Sequence, residues 1–334
     1  MCGTTIRNWL LPTEEESKVG ISEACFDRHE ASWTNRFTNY KAKWPKYLFR
    51  HEPIEGALGV LSSGRLLSRI SATAADCIAN DIAPTEIIGG RDVAHNFARL
   101  YFRPRTPTQF HIEGIRKPAD YYRGRHGGLL VMLAFDAKSV LTMPSTKFSD
   151  GNMQSGVSSV LDGDLGFDSL DFLGIYHDEA NPTDDQKRKR CAEVLADSPL
   201  QVEENLSAIV VRTDADATTV KYLLDQRGLP HFTAIVKKSE GIGVFFHHYT
   251  ALQFVDFAPN KIRFKLASTR SGNSVDVRIS AKTPDGSDVQ IYNGSLKPLT
   301  PYFVNHTLPS GLNTITFHLE GCFAYSSGLD TSAV

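Results

Sequence analysis

Hydrophobic positions along this 334-residue chain fall into three regimes. Up to residue 46 they are scattered among polar residues, with Trp9, Trp33 and Trp44 as isolated anchors, and this predicts a loosely patterned N-terminal extension. At "YLFRHEPIEGALGVLSSGRLLSR" the pattern tightens into a short apolar strand and a turn at Glu52-Pro53. A helix follows, with Ile54, Leu58 and Leu61 at helical spacing until Gly64 stops it. "GGLLVMLAFDAKSVL" is apolar without alternation, the mark of a strand buried on both faces. "LSAIVVRT" reads the same way, and "ATTVKYLLDQRGL" reads as a helix ended by Gly228. Beyond Gln253 the period becomes two, as in Ile262-Phe264-Leu266 and Val275-Val277-Ile279, and Thr283-Pro-Asp-Gly is a hairpin signal. The pattern predicts an extension over 1–46, a mixed unit over 47–250 and a small antiparallel β domain, sandwich-like, over 254–326.

Composition narrows the class. No apolar run approaches a membrane span, and "MCGTTIRNWLLPTEEESK" lacks the basic-then-apolar plan of a secretory signal. The five cysteines are scattered without paired spacing, which argues against a disulfide framework or a zinc site and for a reducing, cytoplasmic location. Net charge is −2, but its distribution is uneven. Lys41 to Arg125 carries 14 basic against 8 acidic residues, whereas Asp150 to Glu240 carries 9 against 17. One basic half suits a polyanionic partner, and an ordinary solvated surface explains the same count equally well.

Phosphate loop, Rossmann glycine triad, HExxH and GxSxG signatures are all absent. His247-His248 ends an apolar run and reads as a core or edge pair. What remains is four separated pieces: "FRHEP", "YFRPRTP", "KFSDGNM" and "RCAEVL". In the second, Pro104 and Pro107 end an ordered segment, so Arg103 and Arg105 sit at a rigid strand-end corner able to hold a phosphate, or simply solvated there.

In this order and at these intervals the four pieces resemble the DarT family, bacterial toxins that move ADP-ribose from NAD⁺ onto DNA bases. The resemblance covers about residues 47–235, and its most specific parts are Tyr101 to Pro107 and Arg190 to Leu195. It implies an α+β fold with an ADP-ribosyltransferase-like split mixed sheet, Arg105 as the NAD-anchoring catalytic arginine and Glu193 as the catalytic glutamate. It further implies that His51, Arg50 and Tyr101 line the NAD⁺ site. Lys147, Phe148, Asn152 and Arg190 are expected on the DNA side, Phe148 stacking on a base and the "QKRKR" run steering the strand. NAD⁺ is then a co-substrate with no metal required, single-stranded DNA the acceptor, and a macrodomain-containing antitoxin the partner, in a toxin–antitoxin or phage-defence setting.

Arg50-His51-Glu52-Pro53 replaces the histidine–threonine–histidine element of the thymine-modifying branch, and Gly56 stands where asparagine is common. The Arg-His-Glu-Pro departure and the extra β domain look more like the guanine-modifying branch than the thymine-modifying one. The β region shows few aromatic–basic pairs in one stripe, so no nucleic-acid platform is expected there. RNA or protein as acceptor, and a catalytically dead binding protein on the same scaffold, stay open at this point.

Overall fold

The computed structural model describes residues 20–75, 95–124, 126–153, 155–258, 260–267 and 272–332. Trp9, Cys2 and Cys77 lie outside them. The strands run β1 (Tyr47–Pro53), β2 (Arg65–Leu66), β3 (Ala98–Tyr101), β4 (Leu130–Asp136), β5 (Lys147–Ser149), β6 (Val160–Leu161), β7 (Glu193–Ala196), β8 (Leu200–Gln201), β9 (Leu206–Val211) and β10 (Val236–Lys238). Eight of them form one mixed sheet in the order β10-β9-β4-β1-β3-β7-β5-β6, with β2 and β8 as a separate ribbon. β9 and β10 are parallel. β1 and β4 are zipped from Tyr47↔Asp136 to Pro53↔Leu130, but β1 meets β3 through the single pair Phe49↔Tyr101. The sheet therefore splits at its centre, and the split opens beside Tyr101.

The apolar pattern places these elements well. Six of the seven residues of β4 are buried, as its unbroken apolar run requires. Helix Ile54–Ser63 turns Ile54, Leu58 and Leu61 inward and ends at Gly64, whose φ of 66° completes a left-handed cap. Residues 20–46 differ from the loose extension expected. Helix Glu23–Arg36 is capped by the Ser22 hydroxyl and buries Cys25, Phe26 and His29, while Trp44 is wholly buried. A single helix with so narrow a buried stripe leaves little periodic signal.

Downstream, β11 (Leu252–Ala258), β12 (Lys261–Leu266), β13 (Val275–Lys282), β14 (Asp288–Leu296), β15 (Tyr302–Asn305), β16 (Leu312–Leu319) and β17 (Cys322–Asp330) make two antiparallel sheets. Their orders are β11-β12-β15 and β14-β13-β16-β17. Period-two alternation turns Ile262, Phe264 and Leu266 of one sheet and Val277, Ile279, Ile315 and Phe317 of the other into one core, with Phe264 and Phe317 in edge contact at 5.2 Å. Helix Asp214–Gln226 joins the two regions. Its Thr219 hydroxyl accepts from the Ser326 amide at 3.1 Å and its Tyr222 hydroxyl meets that of Thr314 at 3.0 Å. Among the described residues no helix is long and apolar enough to cross a membrane.

Candidate active site

Glu193 opens β7 directly across from Tyr101 on β3. Partners in register share a face, so Arg99, two residues before Tyr101, also lies on the Glu193 side. Arg99 Nε and Nη2 donate to the two carboxylate oxygens, the second bond being 2.7 Å long. This fork fixes both oxygens in one plane. Glu193 is 1% exposed, and its backbone N–H is held by the Ser149 hydroxyl at 3.0 Å. It is a buried strand residue, not a glutamate on a solvated helix. Against the desolvation that opposes it, the Glu193 carboxylate lifts Arg99 above its ordinary pKa. Tyr101 is pushed up to about 12 by burial and by Glu193, so its hydroxyl stays protonated.

His51 stacks flat on Tyr101 at 5.5 Å. Burial, helped by Arg50, holds its pKa down at about 3, so the ring is neutral. Arg50 precedes it on β1, and alternation sends its side chain to the opposite face. There Arg50 Nε donates to Glu52 at 2.6 Å and Nη1 to the Arg99 carbonyl at 3.3 Å. A Cβ on Gly56 would stand 2.9 Å from Glu52 Oε2, so the glycine makes room for this glutamate.

The chain leaves β3 through Arg103-Pro104-Arg105. Arg103 is fully buried, contrary to a solvated corner residue. Its guanidinium donates to the carbonyls of Pro104, Ile175 and His177 and to Asp178, and lies 4.8 Å over the Trp44 ring. It braces the 175–178 turn. Arg105 adopts φ 59°, a left-handed conformation rare outside glycine. The buried Gln109 amide compensates by accepting from the Arg105 N–H at 2.7 Å, and the helix Pro107–Ile112 that carries it is capped by the Thr106 hydroxyl. Arg105 Nη1 reaches the Tyr40 hydroxyl at 2.8 Å and Asp178 at 2.9 Å, and the guanidinium lies 5.2 Å from the Phe246 ring centre. Phe246 is fixed from below, because its N–H donates to the buried Glu113, which also accepts from Gln109.

Arg190 completes this cluster. It is buried, with Nη2 donating to the Glu179 carbonyl at 2.6 Å. Burial lowers the pKa of both Arg103 and Arg190; Asp178 opposes the shift and the neighbouring arginines add to it. Arg103 and Arg105 thus share the Asp178 carboxylate, with the Arg190 guanidinium close enough to feel its charge. Arg105 Nε and Arg190 Nε are buried without a hydrogen-bond partner. The cluster is short of negative charge and of acceptors, which is what a diphosphate supplies.

A model of the family described as "ssDNA thymidine ADP-ribosyltransferase, DarT" matches residues 50–246. The chain belongs to the DarT family. Solved relatives include Thermus sp. 2.9 DarT in complex with ADP-ribosylated single-stranded DNA, at 18% identity and a TM-score of 0.46, covering 56% of this chain and 90% of that one. The same protein with NAD⁺ aligns at 17% identity and a TM-score of 0.43 over 55% and 90% of the two chains. Thermosipho africanus DarTG in complex with ADP-ribose aligns at 19% identity and a TM-score of 0.43 over 57% and 51%. No curated protein matches. The family consists of ADP-ribosyltransferases, and the split mixed sheet is the fold expected of it.

Two residues assigned to the DNA side sit elsewhere. Phe148 is wholly buried on β5, where Phe102 and Phe167 enclose it, so it has no face for a base. Arg190 faces the arginine cluster, not a DNA groove. The rest of "QKRKR" is neutralised by its neighbours, with Lys187 on Asp184, Arg188 on Asp150 and Asp185, and Lys189 on Asp171 and Asp185. Lys147 and Asn152 remain partly exposed on and after β5, next to β7 in the sheet. Sequence reading overlooked Arg99, Tyr40, Gln109, Glu113 and Asp178. Period-two spacing from Tyr101 points to Arg99; the others converge only through the fold.

Proposed function

We propose that this DarT-family chain transfers ADP-ribose from NAD⁺ to a base of single-stranded DNA, with Glu193 and Arg105 as its catalytic residues. The observation that carries the reading is the buried Glu193 carboxylate, forked by Arg99 beside Tyr101 and His51, one short turn of chain from an arginine cluster whose Arg105 and Arg190 Nε groups are unpartnered. NAD⁺, when bound, supplies an ADP-ribosyl group whose bond to nicotinamide cleaves with positive charge building on the ribose. Glu193 is preorganised to stabilise that charge, since Arg99 holds its oxygens in place before any substrate arrives. Its carboxylate also serves as the acceptor for a proton from the attacking base nitrogen. Arg105, with Arg190 behind it, binds the diphosphate, and the Phe246 and Tyr40 rings keep its guanidinium in position. His51, neutral and stacked on Tyr101, presents an uncharged wall that does not repel the cationic nicotinamide ring. Lys147 and Asn152 lie towards the acceptor.

Guanine is the base we assign. Support comes from Glu52 and Gly56, which stand together in place of the residues of the thymine-modifying branch and fit each other sterically. The biological role that goes with this chemistry is a growth-arresting toxin held in check by a macrodomain antitoxin. Intact-mass analysis of four single-stranded oligonucleotides, each lacking one base, tests the acceptor after incubation with NAD⁺. Gain of one ADP-ribosyl mass on all but the guanine-free strand is expected. Loss of modification only on the thymine-free strand would reverse the base assignment, and modification of RNA or the protein alone would remove DNA as acceptor.

A further inference from the structure

The outer face of the β11-β12-β15 sheet departs from what the alternation of a β sandwich requires. β12 turns Ile262, Phe264 and Leu266 inward, each fully buried. The same alternation puts Lys261, Arg263 and Lys265 outward in a straight row. On the edge strand β15, Phe303 stands directly opposite Arg263 and is 61% exposed. On β11, Phe254 stands opposite Lys265. The cations and rings touch: Arg263 lies 4.8 Å over Phe254 and Lys261 5.9 Å from Phe303. The only carboxylate among the described residues in this register is Asp256, paired with Arg263 at 3.0 Å in an exposed contact that contributes little. Three cations against one anion on a chain of net charge −2 make this a local basic face, and nothing in the sandwich explains an outward phenylalanine beside it.

A row of basic side chains flanked by aromatic rings is the chemistry that binds single-stranded nucleic acid. Cations follow the phosphates, and exposed rings stack on bases whatever their identity. We propose that this face is an accessory single-stranded DNA platform, with Lys261, Arg263 and Lys265 on phosphates and Phe303 under a base. It holds the strand while another part of it is modified. The sequence alone suggests no such platform, because strands far apart in it bring the rings to the cations. The proposal rests on DNA being the acceptor, and its test keeps the two ideas apart.

The measurement is binding of a labelled oligothymidylate of about 20 nucleotides to the full chain without NAD⁺, across a salt series, alongside ADP-ribose transfer to strands of about 20 and about 5 nucleotides. In the combined variant Lys261→Glu, Arg263→Glu, Lys265→Glu, loss of three phosphate contacts should lower the slope of log affinity against log salt by about 2. Phe303→Ala, at an exposed position that leaves folding intact, should weaken binding about tenfold. Both should raise KM for the long strand and leave the short strand unchanged. Unaltered affinity, slope and KM in both variants would overturn the platform. Wild-type binding with these dependences but no transfer to any DNA would instead sink the acceptor reading and leave the platform standing.

Discussion

Arg99 and Glu193 form the interaction on which the site's geometry depends most. Removing one partner of a buried ion pair leaves an uncompensated charge and costs about 3–5 kcal/mol; because Arg99 is partly exposed, Arg99→Met should fall near the lower end, about 3 kcal/mol in urea unfolding. The same variant should lose transfer activity while binding NAD⁺ nearly as well, since the diphosphate cluster is separate. Arg105→Lys should act the other way. Lysine keeps the charge but cannot fork onto a diphosphate, so KM for NAD⁺ should rise about tenfold or more. The two residues we propose as catalytic, Glu193 and Arg105, could be picked out of the sequence because each sits in a short motif with prolines or apolar neighbours around it. Their anchors were not. Asp178 lies 73 residues from Arg105 and Tyr40 lies 65, and no local pattern joins them.

At the scale of elements, the split between β1 and β3 places the site, and two packed segments close around it. Gly243, at φ 63°, lets the chain pass Tyr40 so closely that a Cβ would stand 2.5 Å from its ring. Gly243→Ala should therefore displace Tyr40 and raise KM for NAD⁺, as Tyr40→Phe should, with a smaller effect on kcat; an unchanged KM in both would remove Tyr40 from the site. Helix Glu23–Arg36 supplies a pH dependence. His29 is buried against Phe167 and Phe172 with Tyr176 at 3.1 Å, and burial lowers its pKa from 6.5 to about 3. It is neutral when folded, while the unfolded chain takes up a proton below about 6.5. The stability it contributes is complete above that pH and is lost as pH falls towards 3, at up to about 1.4 kcal/mol per pH unit. His29→Gln should remove that share of the slope in chemical denaturation between pH 6 and 4; an identical slope would count against a neutral buried His29. Strands β4 and β9 and helix Ile54–Ser63 were readable because burial leaves long apolar signatures. β5 left no such signature, since three residues are too few for a pattern to emerge.

For the molecule as a whole, the β sandwich is a docked part of the protein. Helix Asp214–Gln226 lies between it and the catalytic sheet, with Ala215 in the sandwich core and Val220 and Leu224 in the other. Alternation made the sandwich legible. Its basic face was hidden because it is assembled across β11, β12 and β15. We propose that the buried Glu193 performs the transfer, and removing its negative charge alone decides the matter. Wild-type and Glu193→Gln proteins, shown by circular dichroism and NAD⁺ binding to be equally folded, are incubated with NAD⁺ and a guanine-containing single-stranded oligonucleotide and read by intact mass. A catalytic Glu193 predicts an added ADP-ribosyl group with the wild type and a rate at least about 10²-fold lower with the variant. Equal rates from the two proteins would contradict it.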